Sequence, residues 1–313
     1  MSPETSTLHD PLTRAAIRHG SDKYGGHLYT PIYHALFAHL REQTLKLLEI
    51  GIGGYETEAA GGLSLRTWLD YFPGAEITGL DICKKTLDLP ARAKIYQGSQ
   101  TDLAVLERIT EERGPFDIII DDGSHDPEHM IASFAFLYPR MRPDGIYAVE
   151  DTQTCFHHGR NGHGTIFSLA AQVSLAMHRL EGFSAPETPA EIFSLAEMTR
   201  CVSVYRNIVV FHRGANTYPS NTGLNFGNEE VRGVFAGIEA EAARNPAPGS
   251  VLSRIDMLIW AGEGPRAAEL ARAAASRYPR ERALLHELAR MMGWARQQAA
   301  QAEIHARLDL LSG

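Results

Sequence analysis

Two acidic clusters carry the side chains in this sequence that are most able to do chemistry. In the stretch FDIIIDDGSHDPEH, three consecutive isoleucines run directly into Asp121, Asp122 and His125. A second cluster, Glu150 and Asp151, follows the apolar stretch GIYAV. Grouped carboxylates repel one another unless a cation lies between them, and hard oxygen ligands suit Mg²⁺. An imidazole beside such a cation can take the proton of a bound hydroxyl.

We therefore predict a divalent metal site with a base beside it. Asp122, Glu150 and Asp151 are the expected ligands, and they leave coordination positions open for water or for substrate hydroxyls. His125 lies three residues after Asp122 and is the expected general base. Any one of these residues could be a strand-end cap or a solvated turn residue, but the set as a whole favours a site.

The elements around these clusters predict an α/β fold. Short apolar runs alternate with helical patterns, which indicates a parallel sheet with helices on both faces. The five predicted strands are TLKLLEI (44–50), EITGLDI (76–82), AKIYQG (93–98), FDIIID (116–121) and GIYAVED (145–151), and CVSVYRNIVVFHR (201–213) predicts a terminal hairpin. Since ligands of such sheets bind beyond the carboxyl ends of the strands, the two acidic clusters are expected to be neighbours there.

A glycine loop follows the first predicted strand, in the stretch LEIGIGG. Gly51 and Gly53 allow the backbone to approach a ligand closely, and Glu49 precedes them. The dinucleotide fingerprint requires a third small residue three positions after its second glycine, but Glu56 stands there, and its carboxylate would repel a pyrophosphate. The loop therefore favours a nucleoside ligand without phosphates, such as S-adenosylmethionine.

Further positions are predicted to hold that nucleoside. Asp81 ends the second strand, where an acid can hold two ribose hydroxyls, although a capping role is the alternative. Ser99 and Gln100 follow the third strand and could meet the adenine edge, but a turn followed by an N-cap at Asp102 is an equally good interpretation. Asp121, the first acid of DDGSH, is also assigned to the cofactor.

Composition limits the classes of partner and compartment. The net charge of −8 argues against nucleic-acid and anionic-membrane partners. Three cysteines without CxxC spacing fit a reducing compartment. The N-terminus has no signal-peptide core, and no apolar run approaches the roughly 20 residues that span a bilayer. We expect a cytoplasmic protein.

Four segments resemble the class I, metal-dependent sugar O-methyltransferases of macrolide biosynthesis, of the mycinamicin VI 2''-O-methyltransferase type. They are SDKYGGHLYTPIYHALF (21–37), LLEIGIGGYETEAAGGLSLRTWLDYFPGAEITGLDI (47–82), IIDDGSHDPEHM (119–130) and YAVEDTQT (147–154). The resemblance covers about residues 20 to 213. It implies a Rossmann-like, mostly parallel seven-stranded sheet with a terminal hairpin, and it implies S-adenosylmethionine and Mg²⁺ as cofactors.

The resemblance also assigns roles to single residues. In that family the second aspartate of DDGSH and the following ED pair bind Mg²⁺, and the histidine is the general base. Carried over, the ligands are Asp122, Glu150 and Asp151, and the base is His125. These are the same residues that the charge argument selects. The family binds S-adenosylmethionine at the glycine loop and at the acid that corresponds to Asp81.

The predicted domains are an N-terminal helical segment (1–43), the methyltransferase domain (44–215), a linker (216–249) and a helical extension (250–313). The extension weakly resembles a tetratricopeptide array, and a plain helical cap is the alternative. Members of the family carry an N-terminal auxiliary domain, which we expect this chain to lack. The His-rich loop at 157–163 has no recognised zinc spacing and is expected to be an acceptor lid.

The predicted function is Mg²⁺-dependent transfer of a methyl group from S-adenosylmethionine to a sugar hydroxyl of a natural product or glycoconjugate. The expected partner is a small glycosylated acceptor, and the chain is expected to form a homo-oligomer. Two alternatives stay open. One is other chemistry on this scaffold, either methylation of a catechol-like diol or a hydroxylation-linked reaction of the cephalosporin-modifying type. The other is a non-catalytic scaffold that binds partners through its helical tail.

Overall fold

The candidate site lies on a seven-stranded sheet. The computed structural model describes residues 9–157, 159, 161–179, 188–215, 229–244 and 247–311. The strands are β1 (Lys46–Ile50), β2 (Glu76–Asp81), β3 (Ala93–Gln97), β4 (Ile118–Asp121), β5 (Ile146–Val149), β6 (Thr199–Tyr205) and β7 (Ile208–Arg213). Their order is β3-β2-β1-β4-β5-β7-β6. The first five strands run parallel, and β7 is antiparallel to both β5 and β6. The predicted sheet and its terminal hairpin are confirmed.

Helices cover both faces of this sheet. They are α1 (Pro11–His19), α2 (Thr30–Phe37), α3 (Leu63–Tyr71), α4 (Leu103–Arg113), α5 (Pro127–Leu137), α6 (Ile166–Arg179) and α7 (Ala190–Glu197). Ile118 and Ile120 pack in the apolar layer that contains residues of α1, α2 and α3. Ile119 packs in the opposite layer, which contains residues of α4, α5 and α6. The unbroken isoleucine run therefore follows from a strand that is buried on both faces.

The pairing register aligns the ends of the central strands. Ile50 of β1 lies opposite Leu80 of β2 and Asp121 of β4, and Asp121 lies opposite Val149 of β5. The residues that follow these positions therefore leave the sheet along one edge. The chain order also reverses between β1 and β4, which is the point where open α/β sheets bind ligands.

A separate helical unit follows. The chain divides into two units, residues 1–217 and 218–313. The second unit contains α8 (Glu229–Arg244), α9 (Pro248–Trp260), α10 (Gly264–Arg277), α11 (Arg282–Trp294) and α12 (Gln298–Leu310). α9 and α11 begin one tetratricopeptide period of about 34 residues apart, and so do α10 and α12. This spacing favours the repeat interpretation over a plain helical cap.

The segment predicted to be a linker contains one helix of this second unit. Within residues 216–249, the stretch Glu229–Arg244 is helical, and Phe235 packs against the apolar cluster of the second unit. Gly233 and Gly237 lie inside this helix and weaken its sequence pattern, because glycine is a poor helix former. Residues 216–228 lie outside the described part of the chain. Among the described helices, none is long and apolar enough to cross a membrane.

Candidate active site at the carboxyl edge of the sheet

A cavity of about 880 Å³ lies at the carboxyl edge of the parallel strands. Nearly all of the residues that the sequence predicts for the site line it. They are Gly51, Gly53, Asp81, Ser99, Gln100, Asp122, His125, Glu150 and Asp151. The structure therefore brings the predicted cofactor loop and the predicted metal residues into one cavity.

Two predicted cofactor residues, Glu49 and Asp121, do not line the cavity. Both belong to strands, although a strand position alone does not exclude contact with the cavity, since Asp81 ends β2 and lines it. Glu49 is fully buried, and its carboxylate accepts a hydrogen bond from the Ser64 hydroxyl at 2.8 Å. Asp121 is also buried and accepts a hydrogen bond from the Ser133 hydroxyl at 2.5 Å. Asp121 also accepts from the backbone amide of Gly123 at 3.3 Å and so supports the DDGSH loop, whereas Glu49 bonds to α3.

Close backbone packing explains the first glycine of the loop. Gly51 has a φ of 78°, and a Cβ there would lie 2.0 Å from the carbonyl oxygen of Asp122. Only glycine lets the loop after β1 approach the loop after β4 this closely. Gly53 also has a positive φ, of 70°, but no described atom lies within 4 Å of a Cβ built there. The glycine loop therefore joins the two halves of the cavity and leaves open space beside Gly53.

Asp81 ties the glycine loop to the end of β2. One carboxylate oxygen accepts from the backbone amide of Ile52 at 3.1 Å, and the other accepts from that of Cys83 at 2.8 Å. Each oxygen can accept a further hydrogen bond, and Asp81 lines the cavity. The capping role is therefore present, and the predicted contact with ribose remains compatible with it.

Gln100 links the DDGSH loop to the region after β3. Its side-chain oxygen accepts from the amide of Ser124 at 2.8 Å, and its amide nitrogen donates to Asp121 at 3.1 Å. Burial raises the pKa of Asp121 to about 6, although its hydrogen bonds oppose the shift. Asp102 is the N-cap of α4, as one of the two interpretations predicted. Gln100 therefore orders the loop that carries His125.

A lysine lies among the acids. The Lys23 ammonium is 2.8 Å from Glu150 Oε1, 2.9 Å from Asp122 Oδ2 and 3.3 Å from Glu49 Oε1. Sequence reasoning required a positive charge here but assigned it to a metal ion alone. The one signal for Lys23 was its place in the segment SDKYGGHLYTPIYHALF, which carries the resemblance.

The titration of this cluster follows from its burial. Burial lowers the pKa of Lys23, but attraction to the three acids outweighs burial and holds that pKa well above its ordinary value. Burial raises the pKa of Glu150 well above its ordinary value, and the neighbouring Asp122 adds to this effect. Burial also raises the pKa of Glu49. Three acids share one lysine, so the cluster can accept further positive charge.

Asp151 points towards His125. It adopts a left-handed backbone conformation with a φ of 51°. Its Oδ1 accepts a hydrogen bond from the Tyr29 hydroxyl at 2.6 Å, and its Oδ2 lies 3.6 Å from His125 Nε2. Burial opposes ionisation of Asp151, but hydrogen bonds from Tyr29 and Gln153, together with nearby histidines, hold its pKa below the ordinary value. Asp151 is therefore a carboxylate poised to hold a cation or to orient the imidazole.

The segment before β1 also contributes to the cavity. His27 lines the cavity and stacks on Tyr29, with ring centroids 4.6 Å apart. Tyr24 is not among the lining residues. The His-rich loop includes His158 and Arg160, which lie outside the described residues, so its predicted role as a lid stays a prediction.

One group of side chains fits a divalent cation in the described part of the chain. Donor atoms of Asp122, His125 and Asp151 all lie within 4.8 Å of one another. Glu150 is not in this group, and both its oxygens accept from Lys23 while one also accepts from Tyr33. The structure thus brings two of the three predicted ligands together and holds the third on Lys23. The two carboxylates of this group are hard oxygen donors that suit Mg²⁺ or Mn²⁺.

The sheet order, the antiparallel β7 and the cavity at the strand ends define a class I, Rossmann-like methyltransferase fold. No family model matches the chain. It is 42% identical over 214 residues to the 8-demethyl-8-(2-methoxy-alpha-L-rhamnosyl)-tetracenomycin-C 3'-O-methyltransferase of Streptomyces olivaceus, across 66% of this chain and 54% of that protein. It is 36% identical over 214 residues to the mycinamicin VI 2''-O-methyltransferase of Micromonospora griseorubida, across 66% of this chain and 53% of that protein.

A solved structure extends this similarity to three dimensions. The MycE methyltransferase from the mycinamycin biosynthetic pathway, in complex with Mg, SAH and mycinamycin VI, matches with a TM-score of 0.60 and 33% identity. The match covers 70% of this chain and 58% of that chain. The resemblance to sugar O-methyltransferases predicted from the sequence is confirmed. The chain spans about half the length of the curated relatives it matches.

Proposed function

We propose that the chain is an Mg²⁺- and S-adenosylmethionine-dependent O-methyltransferase that methylates a sugar hydroxyl of a glycosylated natural product. One observation carries the proposal. The acid and histidine group of Asp122, His125 and Asp151 shares a cavity with the glycine loop, on a fold similar to that of sugar O-methyltransferases. Methyl transfer needs a donor and an activated hydroxyl side by side, and this cavity offers a place for each.

The cofactor is proposed to lie along the glycine loop. Gly51 and Gly53 allow close backbone approach, Asp81 is proposed to bind the ribose hydroxyls, and Ser99 and Gln100 are proposed to meet the adenine edge. All five line the cavity. The proposed ligands of the divalent cation are Asp122 and Asp151, with Glu150 beside them on Lys23. A bound Mg²⁺ would supply Lewis acidity that lowers the pKa of an acceptor hydroxyl.

The chain's own residues then carry the proton. His125 is proposed to take the hydroxyl proton on Nε2, the ring nitrogen that faces Asp151 at 3.6 Å. Asp151 stabilises the protonated ring, and the Tyr29 hydroxyl holds Asp151 in place. The acceptor oxygen attacks the methyl carbon of S-adenosylmethionine as the carbon–sulfur bond breaks, and S-adenosylhomocysteine leaves. The loop network of Gln100 and Ser124 holds His125 in position during this step.

The relatives narrow the proposed acceptor. Their names describe methylation of a rhamnosyl tetracenomycin and of mycinamicin VI, which supports a sugar attached to a natural product as the acceptor class. The open coordination positions suit an acceptor that binds through two adjacent hydroxyls. The homo-oligomer expected from the sequence stays a prediction.

A methyl-transfer assay tests the function. Purified chain with S-adenosylmethionine and Mg²⁺ is expected to release S-adenosylhomocysteine when a rhamnosyl tetracenomycin is added, and mass spectrometry should find one added methyl group. The same acceptor deoxygenated beside the methylated hydroxyl should react poorly even at saturation, because it can donate only one oxygen to the cation. A simple catechol tests the diol alternative. Cofactor binding without turnover on any acceptor would instead favour a catalytically silent scaffold.

Replacing Asp81 tests the cofactor assignment. Asp81→Ala is expected to weaken S-adenosylhomocysteine binding by about 1.5–3 kcal/mol, because it removes charge-assisted hydrogen bonds to the ribose. Asp81→Asn removes the negative charge but keeps one acceptor oxygen for the amide of Ile52 or Cys83. Comparison of the two variants therefore separates the effect of the charge from the effect of the loop hydrogen bonds. Calorimetric titration measures both variants, and circular dichroism checks their folding. Unchanged affinity in Asp81→Ala would reject the ribose role, and NADH binding of similar strength would revive the dinucleotide alternative.

A further inference from the structure

Lys23 contacts three acids, whereas an ordinary ion pair joins one cation to one acid. Its ammonium group has three N–H donors, and oxygens of Asp122 and Glu150 lie at hydrogen-bonding distance from it. Glu49 Oε1 lies 3.3 Å away and has no hydrogen-bond partner among the described residues. Its interaction with Lys23 is therefore electrostatic attraction without a hydrogen bond. The side chain of Lys23 is 2% exposed, so water does little to screen these charges.

The chain holds Lys23 in place from its backbone. The amides of Tyr29 and Thr30 both donate to the carbonyl oxygen of Lys23, at 3.0 and 3.2 Å. The same segment supplies the Tyr29 hydroxyl to Asp151 and the Tyr33 hydroxyl to Glu150. One N-terminal segment therefore binds acids that come from the ends of β4 and β5, and Lys23 supplies its positive charge.

Charge accounting links this lysine to the cation site. Asp122 gives Oδ2 to Lys23 and is also one of the three residues that fit a divalent cation. The Lys23 ammonium beside Asp122 repels a second cation that binds to the same carboxylate, and this Coulomb repulsion weakens binding of the divalent cation. Without the lysine, Glu49, Asp122 and Glu150 would lose the cation that they share, and a buried acid whose ionic partner is removed strongly destabilises a fold. The lysine and a divalent cation therefore compete for the carboxylate of Asp122.

We propose that Lys23 is a positioning residue that serves as the resident counter-cation of the acid cluster. It keeps the metal-free site assembled and limits the affinity of the site for the divalent cation. This inference rests on the proposed function, because that function supplies the role of the cation. It assigns to Lys23 no contact with the acceptor or with the reacting methyl group.

Lys23→Met tests the proposal without measuring turnover. In excess chelator the variant is expected to melt on the order of 10 °C below the wild type, because the buried Glu49 and Glu150 and the partly exposed Asp122 lose their shared ion-pair partner. Mg²⁺ should restore much of that loss, whereas it should shift the wild type only slightly. Calorimetric titration with Mg²⁺ alone should show at least about tenfold tighter binding in the variant. Lys94→Met is the matched control, since Lys94 pairs with Glu112 on the surface and its loss should change neither quantity.

The double variant Lys23→Met/Glu150→Gln keeps the proposal testable if the single variant does not fold. It removes one negative charge together with the positive charge, so it is expected to fold in chelator and to bind Mg²⁺ within a few-fold of the wild type. Equal or weaker Mg²⁺ binding in Lys23→Met, or a double variant that does not fold, would overturn the proposal. A wild type that binds no Mg²⁺ would count against the metal part of the proposed function, and the melting comparison in chelator would still decide whether Lys23 holds the cluster together.

Discussion

Chelation of divalent metal is expected to reduce methyl transfer to the background rate, and added Mg²⁺ or Mn²⁺ is expected to restore it. Both ions accept the hard oxygen ligands that Asp122 and Asp151 present at the edge of the sheet. The fold should survive, because the sheet beneath these residues is apolar and Lys23 already partners Asp122 and Glu150. Turnover should therefore depend on the metal far more than secondary structure does.

The measurement is the rate of S-adenosylhomocysteine release in excess chelator, with the metal content of the protein verified and circular dichroism recorded in parallel. Asp122→Asn is the companion variant, and it should lower both Mg²⁺ affinity and rate because it replaces a charged ligand by a neutral amide. Full activity of metal-free protein would contradict the metal mechanism. His125 would then act as a base without help from a metal ion.

Replacement of His125 by alanine is the second large effect that we expect. The turnover number should fall by about 10²–10⁴-fold, which is the usual contribution of a general base. Cofactor affinity should stay nearly unchanged, because the hydrogen bonds of the glycine loop do not involve the imidazole. Added imidazole should recover part of the lost rate, since it can occupy the vacated space and accept the same proton.

The same variant separates the two roles that geometry allows for His125. Its ring lies within reach of both Asp122 and Asp151, so it could act as a metal ligand as well as a base. A base predicts a lower turnover number with Mg²⁺ affinity nearly intact, whereas a ligand predicts that both fall together. His129→Ala is the matched control, because this second imidazole also lines the cavity but bonds to the Ser124 hydroxyl. A similar loss of turnover in both variants would contradict the specific role of His125.

Much of the fold could be predicted because its signals are local. The run of Ile118, Ile119 and Ile120 indicates a strand buried on both faces, whichever residues cover it. The ends of such strands share one edge, so the neighbourhood of Asp122 and Glu150 follows from topology alone. The helix within the predicted linker was missed because Gly233 and Gly237 weaken its pattern, and packing of Phe235 within the second unit offsets that weakness.

The sequence by itself determined which residue types reach the carboxyl edge of the sheet: glycines after β1 and acids with a histidine after β4 and β5. Only the tertiary structure decided how the charges of those acids are balanced. Lys23 is 99 residues from Asp122 and 127 from Glu150 along the chain, and no local pattern joins positions so far apart. The orientation of each acid was also settled in three dimensions, since Asp151 turns towards His125 through a left-handed backbone whereas Glu150 turns to Lys23. Periodicity is a property of neighbouring residues, but the partner of a buried charge is set by whichever segment folds against it.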